Sequence, residues 1–129
     1  MKLLTVAQLQ TRVYAQKETN LSLLDGLFCQ AKDAGADMIC LPEMFSCPYE
    51  TPNFPVYAEP GGGPSWQTLS GLAERYQVYL SAGSVPESDE NGNVYNTAYV
   101  FDREGRQIAK HRKVHLFDLS LTSGYLFME

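Results

Sequence analysis

Apolar positions alternate between strand and helix spacing along the chain. Residues 2–10 (KLLTVAQLQ) carry a short β-compatible apolar core from Leu3 to Val6, which predicts a first strand. From Asn20 the period becomes helical: Leu21, Leu24, Phe28 and Ala31 recur three and four apart, and Leu23 and Leu27 widen the stripe. Thr19 or Asn20 can cap this helix, and Gly35 suits a left-handed residue beyond its end. Gly26 inside it costs about 1 kcal/mol relative to alanine. Residues 37–42 (DMICLP) then predict a short buried strand. Strand, helix and strand joined by such short links predict a βαβ crossover with a parallel pair.

Residues 42–63 break the pattern with Pro42, Pro48, Pro52, Pro55 and Pro60, and end in Gly61-Gly62-Gly63. Irregular stretches of this length in a folded domain are often functional. Pro64 fits the first turn of a second helix, whose stripe is Trp66, Leu69, Leu72 and Tyr76 with Ala73 beside it. VYLSAGSV (78–85) predicts another strand, Asn91-Gly92 a hairpin turn, and VYNTAYVF (94–101) its continuation in the sheet. A second turn at residues 102–105 leads to a strand from Arg106 towards Lys113. No repeat or linker divides the chain, so residues 1–129 are expected to form one α/β unit. The tail, HLFDLSLTSGYLFME, mixes apolar and small residues and stops at Glu129 without a polar terminus, so it reads as cut rather than finished.

Composition narrows the function classes. With 44% hydrophobic and 19% charged residues, the 129-residue chain has the balance of a folded domain rather than of a disordered one. A net charge of -5 and a pI near 5.0, with Lys110, His111, Arg112 and Lys113 as the basic cluster, argue against nucleic acid as a partner. The start imitates a signal peptide, but Gln8, Gln10 and Arg12 interrupt it, and no run is long enough to span a membrane. An odd count of 3 cysteines without framework spacing predicts reduced thiols and a cytoplasmic location. His111 and His115 lie four apart without further ligand spacing, so no metal site is expected.

Two charged residues stand where chemistry is expected. Glu43 follows a predicted strand end, the place where open α/β sheets gather catalytic groups. Shielded by Phe45 and the proline-rich loop, its carboxylate would suit a general base; a surface glutamate is the alternative from position alone. Lys113 shares a strand face with His111, opposite Arg112 and Val114, and a lysine in a cleft can stabilise a developing oxyanion; a solvated basic patch is the alternative. Cys29 on the first helix and Cys40 in an apolar strand read as buried filler, leaving Cys47 in the loop as the accessible thiol.

Taken together, VAQLQ in the first strand, AGADMICLPEMF around Glu43 and YNTAYVFDREGRQIAKHRKVHLFD around Lys113 resemble the carbon–nitrogen hydrolase (nitrilase) superfamily. LPEMFSCPY and FPVYAEP bring the chain nearest to its amidase branch, ω-amidase-like members especially. The resemblance implies an αββα sandwich that assembles into homo-oligomers, and a Glu-Lys-Cys triad cleaving small linear amides, among them ω-amides of dicarboxylates, through a thioester. It implies no cofactor and no metal. Glu43 matches the glutamate and Lys113 the lysine; Glu129 stands where a second, substrate-positioning glutamate is expected, and Phe45 and Tyr49 are candidates to line the substrate pocket. The family's nucleophile follows a glycine-rich turn later in the chain, and no cysteine here matches it. The chain therefore reads as the amino-terminal portion of such a hydrolase, its sandwich incomplete, inactive by itself and prone to associate. Two other readings follow: a non-catalytic truncated relative that binds a full-length hydrolase subunit, and a separate thiol enzyme using Cys47.

Overall fold

The computed structural model describes residues 3–115 and the backbone of two short strands at 119–120 and 126–127. The elements run β1 (Val6–Gln8), α1 (Lys17–Asp33), β2 (Met38–Cys40), a 3-10 turn (Thr51–Asn53), α2 (Phe54–Tyr57), β3 (Glu59–Pro60), α3 (Pro64–Tyr76), β4 (Tyr79–Ser81), β5 (Val85–Ser88), β6 (Val94–Phe101), β7 (Gln107–Arg112), β8 (Leu119–Ser120) and β9 (Leu126–Phe127). The first three form the expected βαβ unit: β1, β2 and β4 are parallel neighbours, with Ala7 opposite Ile39 and Ile39 opposite Leu80. β4 and β5 then follow one another along one edge of β6, and β7 lines its other edge, all antiparallel. The result is a mixed α/β layer with a seven-stranded sheet.

Period-2 alternation decides which side of the sheet is core. Ile39, Leu80, Tyr99 and Phe101 are buried with Leu24, Phe28, Leu69 and Leu72 from α1 and α3. Each such side chain contributes about 1.5–3 kcal/mol by leaving water. Their strand neighbours point the other way. Val6 and Tyr79 are 47% and 41% exposed, while Met38, Cys40, Ser81 and Val100 are half-buried. The described residues thus cover one face of the sheet well and the other only in part.

Several boundaries differ from the sequence reading. β1 lies at Val6–Gln8, leaving Leu3 and Leu4 exposed. α1 starts at Lys17, and Asn20 is buried inside it instead of capping it. Its side-chain amide both accepts from the Tyr14 N–H (2.7 Å) and donates to the Tyr14 carbonyl (2.8 Å), and it reaches the Ser46 carbonyl at 3.2 Å. Asn20 therefore pins the β1–α1 connection and the loop after Glu43, a task worth more than an N-cap at an exposed helix end. The proline-rich stretch is also more ordered than expected, folding back through α2 and β3. Glu59 caps α3 from there by accepting the Ser65 N–H at 2.7 Å, and it is paired with Lys17.

Gly83, between β4 and β5, has φ of +57° and lies against the end of β2. A Cβ there would sit 2.0 Å from the Pro42 carbonyl oxygen and 2.8 Å from that of Leu41. Gly83→Ala is expected to destabilise the fold by about 2 kcal/mol or more and to displace the strand end that carries Glu43. Urea unfolding of the two proteins measures the loss.

Candidate active site

β2 ends because Pro42 offers no N–H to continue its ladder. The chain then turns sharply: Met44 adopts a left-handed φ of 51° and its N–H donates to Ser84 Oγ at 3.1 Å, while the Cys47 N–H closes a turn on the Met44 carbonyl. A left-handed methionine is uncommon and mildly strained, and such strain often accompanies functional sites. Here it buries the Met44 side chain and leaves Glu43 directed outwards, 49% exposed at its side chain.

Lys113 arrives from the other end of the sequence. Its backbone N–H donates to the Asn96 carbonyl at 2.9 Å, which fixes the residue just past the end of β7. Its ammonium donates to Glu43 Oε1 at 3.1 Å, with its own side chain 30% exposed. Asn96, in β6 and 7% exposed, donates from Nδ2 to the same Glu43 oxygen at 2.7 Å. Sequence reading named Glu43 and Lys113 as candidates, and the structure brings these two together; it passed over Asn96, which looks like any polar residue on a strand, beside Thr97 in VYNTAYVF.

A second charged cluster holds the strand that delivers Lys113. Glu87 on β5 is 3% exposed and accepts from Lys110 Nζ at 2.6 Å, Arg112 at 2.7 Å and the Tyr99 hydroxyl at 2.9 Å. Burial by itself pushes the Glu87 carboxyl up, but the bonds from Lys110, Arg112 and Tyr99 outweigh it and leave the group at about 2. Burial, and then the Glu87 charge, push the Tyr99 phenol the other way, well above its usual range. Arg112 also stacks over the Tyr95 ring at 3.9 Å. With Arg112 held on this side of β7, alternation sends the next residue, Lys113, to the opposite side, where Asn96 and Glu43 lie.

The remaining candidates fall in different places. Phe45 is 1% exposed and packs into the main core, so the shielding of Glu43 expected from it is not there. Tyr49 is 44% exposed and lies edge-on against Phe54, their centroids 5.5 Å apart. Phe54 lines a small apolar recess of about 120 Å³ together with Met44, Val94, Tyr95 and Asn96. Tyr49 thus borders the region of the Glu43 cluster through one intervening ring. Glu129 lies outside the described residues.

The cysteines reverse the sequence expectation. Cys47, expected to be accessible, is fully buried with Met44 and Phe54, because the loop folds its apolar residues inwards; Cys29, expected as filler, is exposed on α1; Cys40 is half-buried on the less covered sheet face. Burial pushes the Cys47 thiol to about 11. At pH 7 the buried thiol then stays protonated, and its burial shields it from reagents in solution. In a disulfide-exchange labelling assay, Cys29 should react at an ordinary rate, and Cys47 only when the protein unfolds. Among the described residues no group of three or more histidines, cysteines and carboxylates is placed to hold a metal ion, and no helix is long and apolar enough to cross a membrane.

Comparison with known proteins bears on this geometry. The carbon–nitrogen hydrolase family model matches residues 3–129. "Omega-amidase NIT2" of Mus musculus is 41% identical over 129 residues, all of this chain and 46% of that protein. "Hydrolase C26A3.11" of Schizosaccharomyces pombe is 45% identical over 115 residues, 88% of this chain and 35% of the relative. Among solved structures, that of Saccharomyces cerevisiae Nit3, a member of branch 10 of the nitrilase superfamily, superimposes with a TM-score of 0.82 at 34% identity, covering 88% of this chain and 45% of that one. The chain therefore spans less than half the length of each of these proteins.

Proposed function

The chain belongs to the carbon–nitrogen hydrolase family, and on that premise we propose that it supplies the base and the oxyanion-stabilising cation of a cysteine-dependent amidase. The observation that carries this reading is the Glu43–Lys113 contact at 3.1 Å, which brings two residues 70 positions apart to the carboxyl end of the parallel strands. Glu43 takes the proton of an attacking thiol, and the thiolate adds to the amide carbonyl. Lys113 stabilises the oxyanion of the tetrahedral intermediate, which collapses to a thioester as the amine leaves with the proton returned by Glu43. Water, deprotonated by the same carboxylate, then hydrolyses the thioester and regenerates the thiol. No step calls for a metal or an organic cofactor.

The nucleophilic thiol is none of the cysteines in these residues: Cys47 is sealed in the loop, Cys29 sits on α1, and Cys40 lies within β2. It comes from the part of the domain that the relatives have in addition. The ω-amidase name of the mouse relative supports monoamides of short dicarboxylic acids as substrates. Glu129 then positions the substrate and Tyr49 borders its pocket, within a cytoplasmic homo-oligomer. Ammonia release from such a monoamide tests the proposal. The 129-residue chain alone should give none; the same chain joined to the carboxyl-terminal half of the mouse relative should turn over. Turnover by the chain alone, lost in Cys47→Ala, would defeat the proposal.

A further inference from the structure

We infer that Asn96 is the positioning residue of the catalytic pair and that it reserves Oε2 of Glu43 as the proton-accepting atom. Three groups meet here, and they differ in how firmly each is held. Glu43 stands on a turn and Lys113 just past a strand end, whereas Asn96 lies inside β6, paired with β5 through Pro86. Asn96 is buried, whereas Glu43 is exposed and Lys113 half-buried. Asn96 is therefore the fixed reference, and it holds both partners at once: Nδ2 grips the Glu43 carboxylate at 2.7 Å, and its backbone carbonyl holds the Lys113 N–H at 2.9 Å.

Both side-chain donors fall on one oxygen. Oε1 accepts from Asn96 and from Lys113, and no donor among the described residues reaches Oε2. A half-exposed carboxylate held only by a flexible ammonium would rotate and interchange its oxygens. A buried amide on a strand removes that freedom, at the conformational cost that an oriented base must otherwise meet in the transition state. Nδ2 is only a donor, so Asn96 neither takes nor gives the transferred proton; it acts through Glu43. The thiol proton goes to Oε2 and leaves from it to the departing amine.

This inference rests on the reading of Glu43 as the base, but its geometric part is tested on the 129-residue chain without any turnover. In side-chain amide NMR spectra, one Asn96 Nδ2 proton should lie downfield and exchange slowly, and Glu43→Ala, which leaves no acceptor, should abolish both properties while the backbone spectrum stays in place. An ordinary Asn96 signal, unmoved by Glu43→Ala, would overturn the inference. In the complete domain, Asn96→Ala and Asn96→Asp should each lower kcat about 100-fold at pH 7 with KM within about threefold. Activity of the aspartate variant should rise as pH falls, because a protonated carboxyl can again donate to Oε1, a recovery the alanine variant must not show. If Glu43→Gln destroys turnover while Asn96→Ala stays within about threefold of the parent, the inference fails and the proposed function stands. If Glu43→Gln leaves turnover intact, the proposed function itself fails, and the assignment of Oε2 with it.

Discussion

Glu43→Gln is expected to lower kcat for amide hydrolysis in the complete domain by about a thousandfold or more, with KM changed by less than about tenfold. The glutamine carbonyl can still accept from Lys113 and Asn96, which bond the present side chain at 3.1 and 2.7 Å, so the fold and the orientation at residue 43 are kept. What disappears is the carboxylate proposed to take the proton in both halves of the reaction. Lys113→Met should cost about 100- to 1,000-fold for a different reason, since the oxyanion then forms without its cation. Steady-state ammonia release with a saturating monoamide measures both. A glutamine variant within tenfold of its parent would mean that Glu43 is not the base.

Glu87→Gln is expected to destabilise the protein by about 3 kcal/mol at neutral pH without touching Glu43. The carboxylate is 3% exposed and faces Lys110 and Arg112, which are left without a counter-charge when it is neutralised. Its folded-state value of about 2 lies below the ordinary 4.5, so the stabilisation is fully present above about pH 4.5 and is lost as pH falls towards 2. A gap of that size corresponds to about 3 kcal/mol, which sets the scale of the expected effect. Urea unfolding at pH 7 and at pH 3 should therefore find the glutamine variant much weaker than its parent at pH 7 and closer to it at pH 3. Equal stability at pH 7 would mean that solvent already screens the cluster.

Much of the architecture was legible because it depends on spacing. The α1 stripe at Leu24, Phe28 and Ala31 is buried as its period predicts, and the βαβ unit follows from short links. Glu43 and Lys113 were recognisable because the residues around them form motifs of one family. Asn20, Asn96 and Glu87 were not legible, since each owes its role to a partner more than five positions away that no local pattern encodes. The cysteines misled for a related reason: a proline-rich loop suggests exposure, yet Met44, Cys47 and Phe54 collapse into a small core of their own once Asn20 ties the loop to α1.

If Glu43 serves a thiol carried by another part of the domain, the site of acylation reveals which thiol that is. With the chain joined to the carboxyl-terminal half of its mouse relative, rapid quenching during amide turnover should trap one acyl group per chain, as a thioester on a cysteine beyond residue 129. Glu43→Gln should prevent its formation. A thioester on Cys29, Cys40 or Cys47, or one that forms at an unchanged rate in Glu43→Gln, would mean that Glu43 does not serve such a thiol.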